Sequence, residues 1–122
     1  APPEATAEPI QALTGDWATP NLGAVVRLSP CEREPTQLCG TLTWVWDPSE
    51  VEPDSVGKLM LSGFAFQKQR WRGGSVRNPE DGRTYRGEIW LDGDVLRLKG
   101  CAGVFCQSQA WRRLASIPRP EE

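Results

Sequence analysis

Hydrophobic and polar residues alternate with a period of two along much of the chain, the pattern of strands buried on one face. Over 23–29, Ala24, Val26 and Leu28 share one face while Val25 and Arg27 share the other. Over 41–46, Leu42, Trp44 and Trp46 alternate with Thr41, Thr43 and Val45, which puts Trp44 and Trp46 on the inward phase with Trp17 at the barrel end. The run 59–66 is largely apolar and changes phase near Gly63, where a bulge is expected. Strands are read near 16–20, 23–29, 37–46, 58–67, 71–77, 83–91, 94–100 and 106–114, mostly joined by short links. No long helical pattern separates them, which argues against parallel crossovers. The expected fold is all-β: a small antiparallel up-and-down barrel of about eight strands, because closure removes exposed strand edges. A short helical turn over Ile10 to Leu13 leads into it.

Local turn chemistry sharpens one hairpin. Asp92-Gly93 suits the two central positions of a type I′ turn, where positive φ is needed twice. That register sets Leu91 opposite Asp94, Trp90 opposite Val95, Ile89 opposite Leu96 and Glu88 opposite Arg97. Ile89, Leu96 and Leu98 then share an apolar face, while Trp90 points outward. Asn78-Pro79-Glu80-Asp81-Gly82 marks a second tight connection. The Pro-, Ala- and Glu-rich start reads as a tail or linker over 1–12, the barrel as 13–115 and a second short tail as 116–122.

Composition narrows the function classes. Lys and Arg number 14 against 16 Asp and Glu, so the large basic excess of a nucleic-acid binder is missing. Residues 1–60 nevertheless hold three basic and nine acidic side chains, and 61–122 hold eleven and seven. In a barrel whose halves fold back on each other, this asymmetry is expected to be neutralised internally. Lys68, Arg70, Trp71 and Arg72 form a basic-aromatic stretch, read as a solvated strand edge rather than a nucleic-acid site. No run approaches the roughly 18 apolar residues of a membrane-spanning helix. The Ala-Pro-Pro-Glu start looks like the end left by signal-peptide removal, and it points to a periplasmic or secreted protein.

The four cysteines support the same compartment. Cys31 and Cys39 end a loop between adjacent strands, and Cys101 and Cys106 bracket the last hairpin. Short loop closure favours the local pairs, although three connectivities remain open on sequence alone. A four-thiolate zinc site is the weaker alternative, since no Cys-x-x-Cys pair and no histidine is present. No metal and no cofactor is therefore expected. Lack of histidine also excludes Ser-His, Cys-His and His-metal mechanisms. The carboxylate pairs Glu80-Asp81 and Asp92 with Asp94 sit in turns, where solvated turn formers are the ordinary occupants. The expectation is a protein that is not an enzyme.

Several segments resemble a known family. They are Gly15-Asp16-Trp17-Ala18-Thr19-Pro20, Leu38-Cys39-Gly40, Trp71-Arg72-Gly73-Gly74, Asn78-Pro79-Glu80-Asp81-Gly82-Arg83-Thr84-Tyr85 and Ser108-Gln109-Ala110-Trp111-Arg112-Arg113. Together they resemble the exported bacterial family catalogued as domain of unknown function 2147, over about residues 13–114. The resemblance implies a lipocalin-like barrel of the calycin type. It gives Gly15 and Trp17 the first-strand motif and Arg113 (or Arg112) the last-strand arginine, whose guanidinium stacks on the indole and closes the barrel end. It carries no activity, and it suggests a periplasmic protein.

Two functions remain in view. The first is a non-catalytic accessory protein docking on a larger envelope assembly, with Trp90, Arg86, Val95 and Arg97 as interface candidates, because an outward Trp beside Arg has the composition of a hot spot. The second is a binder of a small apolar ligand, with a pocket among Trp44, Phe64, Phe66, Tyr85 and Ile89. Tyr85 is expected as a core residue with its hydroxyl at the barrel mouth. A cavity of at least about 300 Å3 separates the two, because a solid interior leaves nowhere for a ligand.

Overall fold

In the computed structural model, which describes residues 10 and 12–114, each strand pairs antiparallel with the next and the last returns to the first. The strands are β1 (Gly15–Ala18), β2 (Ala24–Pro30), β3 (Leu38–Val45), β4 (Leu59–Gln67), β5 (Arg70–Arg77), β6 (Thr84–Asp92), β7 (Val95–Ala102) and β8 (Phe105–Arg113). They form a closed eight-stranded barrel. The seam is narrow: β1 and β8 pair only through Trp17–Arg113 and Ala18–Arg112. Ile10, Ala12 and Leu13 are helical, and Thr14 N–H donates to the Ile10 carbonyl at 3.0 Å. The rest of the expected N-terminal tail, and the C-terminal tail at 116–122, lie outside the described residues.

The core fills one half of the barrel. Trp17, Trp111, Phe64, Leu28, Leu38 and Leu42 are all but fully buried there. Room for the Phe64 ring comes from two inward glycines. A Cβ on Gly74 would lie 2.3 Å from that ring, and one on Gly87 would lie 2.6 Å from Val76 and 3.0 Å from Phe64. Gly73-Gly74 thus serves packing, with an extra β5 residue between Arg72 and Gly74.

Bulges account for a departure from the simple alternation. Val25 and Val26 oppose Trp44 and Leu42, so Thr43 is an extra residue on β3. One added residue reverses every following side chain. Val45 therefore turns inward and is buried, while Trp44 and Trp46 are 39% and 72% exposed rather than inward. Their rings meet edge to face with centroids 6.1 Å apart. The expected bulge in β4 is present: Leu38 opposes Phe64 and Gly40 opposes Leu61, with Gly63 at φ 75°.

The β6–β7 hairpin also departs from the expected register. Asp92 opposes Val95, Leu91 opposes Leu96, Trp90 opposes Arg97 and Ile89 opposes Leu98. The central residues are Gly93 and Asp94, and of the two only Gly93 has positive φ, at 66°. Glycine first is the II′ arrangement, which asks for positive φ once and spares Asp94 the strain. The slip from the type I′ register moves each partner by two positions, so Ile89, Leu96 and Leu98 still share the inner face.

Candidate functional site

Meander topology sends alternate connections to opposite ends, and the two ends differ. One end carries the links 31–37, 68–69 and 93–94 together with the helical turn. Gly15 sits here at φ 129°, and a side chain on it would run into the Arg113 guanidinium at 2.7 Å. That guanidinium lies 4.3 Å above the Trp17 ring, donates to the Thr14 carbonyl at 2.7 Å and also donates to the Ala12 carbonyl. Trp17 Nε1–H in turn donates to the Leu13 carbonyl at 2.8 Å. Gly15, Trp17 and Arg113 thereby tie the helical turn across this end, while Arg112 is exposed on the outer face. The Cys31–Cys39 disulfide is buried at the same end.

The other end is open. Four connections surround it (19–23, 46–58, 78–83 and 103–104), and between them lies a cavity of about 990 Å3. Its walls are of two kinds. Ala24, Val45, Met60 and Val76, from β2 to β5, form an apolar side. Tyr85 on β6 and Gln107 and Gln109 on β8 form a neutral polar side. Gln109 Oε1 accepts from the buried Trp111 Nε1 at 2.8 Å, so the cavity's polar strip is anchored on the core. Between these strands Gly100 leaves room: a Cβ there meets nothing closer than Tyr85 at 3.9 Å.

The rim is built from self-capped loops. Asn78 Oδ1 accepts from Glu80 N–H and Asp81 Oδ1 from Arg83 N–H, each at 2.9 Å. Asn78 N–H donates to the Arg83 carbonyl at 2.7 Å, and Glu52 N–H ties the neighbouring loop to the Pro79 carbonyl at 2.6 Å. Such side-chain to backbone bonds are why Asn and Asp suit these positions. Asp47 accepts from both the hydroxyl and the N–H of Ser49, which holds its carboxyl below the usual carboxylate range. The Cys101–Cys106 disulfide joins the base of the hairpin that carries Val104 and Phe105, 90% and 80% exposed at the rim.

Of the residues named from sequence for a pocket, only Tyr85 borders this cavity. Phe64 and Ile89 lie in the packed half with no exposure. Phe66 packs on Trp71 beside the 68–69 turn, with centroids 5.2 Å apart, and Trp44 stands outside for the reason given above. Gln107, Gln109 and Gly100 were overlooked. Their signal was legible: polar side chains at the inward phase of Phe105-Cys106-Gln107-Ser108-Gln109-Ala110-Trp111 break the rule that strands turn apolar faces inward.

The outer wall around Trp90 is occupied by its own neighbours. Arg70 lies 4.0 Å over the Trp90 ring, and Glu88 binds both Arg70 at 3.1 Å and Arg72 at 2.6 Å. Arg97 pairs with Asp92 at 3.4 Å, Arg86 is exposed and Val95 is half-buried. These pairs, like Asp16 with Arg27 at 2.9 Å, each join residues of one half of the chain. Acidic residues Asp47, Glu50, Glu52 and Asp54 gather in the 46–58 loop at the mouth.

A family model described as "Uncharacterized protein conserved in bacteria (DUF2147)" matches residues 15–113, from the first residue of β1 to the last of β8. The chain belongs to the DUF2147 family. No curated protein matches this DUF2147 member. Among solved structures, protein HP1028 from the human pathogen Helicobacter pylori, described as belonging to the lipocalin family, is similar in fold. The TM-score is 0.65 at 18% identity, over 85% of this chain and 84% of that one. The DUF2147 barrel is thus lipocalin-like in architecture, and Gly15 and Arg113 stand at the two limits of the family match.

Proposed function

We propose that this barrel binds a small amphipathic molecule at its open end and does no chemistry on it. The observation that carries the reading is the cavity of about 990 Å3, well above the roughly 300 Å3 of a small-molecule site. Its apolar side supplies burial, and its few neutral polar groups supply orientation. Carboxylates near it act as loop caps or rim charges, which supports binding without catalysis. Two disulfides support work in an oxidising compartment outside the cytoplasm. A docking role on an envelope assembly is the second reading. Exposed Val104 and Phe105, at the same end as exposed Trp46, favour the mouth for that contact over the Trp90 face, where Arg70 already covers the indole.

The test is a fluorescence titration with the uncharged probe N-phenyl-1-naphthylamine. Saturable binding is expected, weakened at least tenfold by Gly100→Leu, whose Cβ has room and whose side chain takes up cavity space. Equal binding by both proteins, at equal thermal stability, overturns the ligand reading.

A further inference from the structure

We infer that the bound molecule is an uncharged amphiphile whose polar end carries a neutral acceptor oxygen, an amide, ester or ketone carbonyl, and that carboxylates of the same size are disfavoured. The inference rests on the ligand reading above and specifies what the site accepts.

Charge is confined to the rim. The charged side chains bordering the cavity are Asp47, Glu50, Glu80 and Arg83, three acids against one base, and all lie in the two loops 46–58 and 78–83. Below them the lining formed by the described residues is neutral. Among the described residues a carboxylate drawn down among the strands would meet no cation, and the few neutral N–H donors there would replace its lost hydration only in part. At the rim it would face a surplus of like charge, to which Asp47 contributes firmly because Ser49 stabilises its ionised form.

Two amides that line the cavity, Gln109 on β8 and Asn78 on the rim, have a fixed orientation. An indole N–H only donates, so the Gln109 atom facing Trp111 must be its oxygen. The Gln109 amide nitrogen, with two N–H groups, is left for the cavity. Asn78 is fixed in the same sense, since a backbone N–H holds its oxygen. Each oxygen already accepts one bond from the protein, whereas among the described residues neither amide nitrogen donates to the protein, so both keep their N–H groups for whatever enters. A carbonyl oxygen satisfies such groups without bringing a charge, while its alkyl part lies against Val45, Met60 and Val76.

The experiment titrates 15N-labelled protein at pH 7 with three chain-matched probes: decanamide, decanoate and decyltrimethylammonium. The Trp111 indole and Gln109 amide resonances report directly on the polar strip. Decanamide is expected to bind at least tenfold more tightly than decanoate and to shift both signals. Gln109→Glu keeps an acceptor for the Trp111 indole but removes the donors, and it is expected to weaken decanamide at least fivefold. Decanoate binding as tightly as decanamide overturns the inference. So does tightest binding by decyltrimethylammonium without a Gln109 response, or indifference of decanamide to Gln109→Glu. Comparison of the probes on the unaltered protein needs no variant to fold. Gly100→Leu separates the two levels of the argument: probes that ignore it refute the cavity reading itself, whereas probes that it blocks but that show no carbonyl preference refute only the ligand class.

Discussion

A single methyl group distinguishes the two halves of this barrel. Gly74, Gly87 and Gly100 lie side by side on β5, β6 and β7, since Gly74 opposes Gly87 and Gly87 opposes Gly100. Gly74→Ala would place its Cβ 2.3 Å from Phe64 ring atoms, where ordinary carbon contacts are about 3.5–4.0 Å. The ring has no exposure and must move by more than about 1 Å inside a packed core, so overpacking costs roughly 1–3 kcal/mol. Relief of glycine's backbone entropy returns about 0.5–1 kcal/mol. The net is a loss of up to about 2.5 kcal/mol, or up to about 10 °C in Tm for a domain of this size. Gly100→Ala has the same backbone gain, and its Cβ meets nothing nearer than 3.9 Å. It is expected to raise Tm by about 2–4 °C. Thermal and urea unfolding followed by circular dichroism, with disulfides intact, gives both numbers. Adding Phe64→Leu to Gly74→Ala should cost less than the sum of the single changes, because the smaller side chain removes the clash. Equal stability of the two alanine variants, or strict additivity with Phe64→Leu, would refute the account of packed and open halves.

Arg113→Lys is expected to lose about 1–2 kcal/mol and to alter the near-ultraviolet circular dichroism of Trp17, because an ammonium cannot both stack on the ring and reach two carbonyls. A variant indistinguishable from wild type by both measures would show that this end is closed by packing alone. Asp47, whose carboxyl is held below its ordinary range by Ser49, stabilises the 46–58 loop above the unfolded-state value near about 4. That contribution fades as pH falls through the lower folded value. Carboxyl NMR titration should find Asp47 titrating later on acidification than an ordinary aspartate, and Ser49→Ala should move it part of the way back, because the residue 49 N–H still donates to it. No change on Ser49→Ala would remove the hydroxyl as the cause.

Much of the architecture was legible in the residues taken singly. Alternation in 23–29, the phase change at Gly63 and the absence of helical periodicity were enough for an antiparallel barrel, because the side-chain period of two is a local property of extended backbone. Gly15, Trp17 and Arg113 (or Arg112) were picked out by the family resemblance rather than by the residue pattern. The pocket was less legible. Trp44 and Phe66 have the chemistry of a binding wall, but one bulge at Thr43 turned the first outward and the strand ends carried the second to the far end.

By itself the sequence determined which stretches extend, where they turn and which faces are apolar, all matters decided within a few residues. Whether the interior is full or hollow was decided only by the tertiary structure. Phe64 fills its half because Gly74 and Gly87 on two other strands make way for it, and Gly100 keeps the other half open because no such ring reaches it. Volume inside a barrel is a sum over eight strands at one level, and no local pattern records which side chains will share that level.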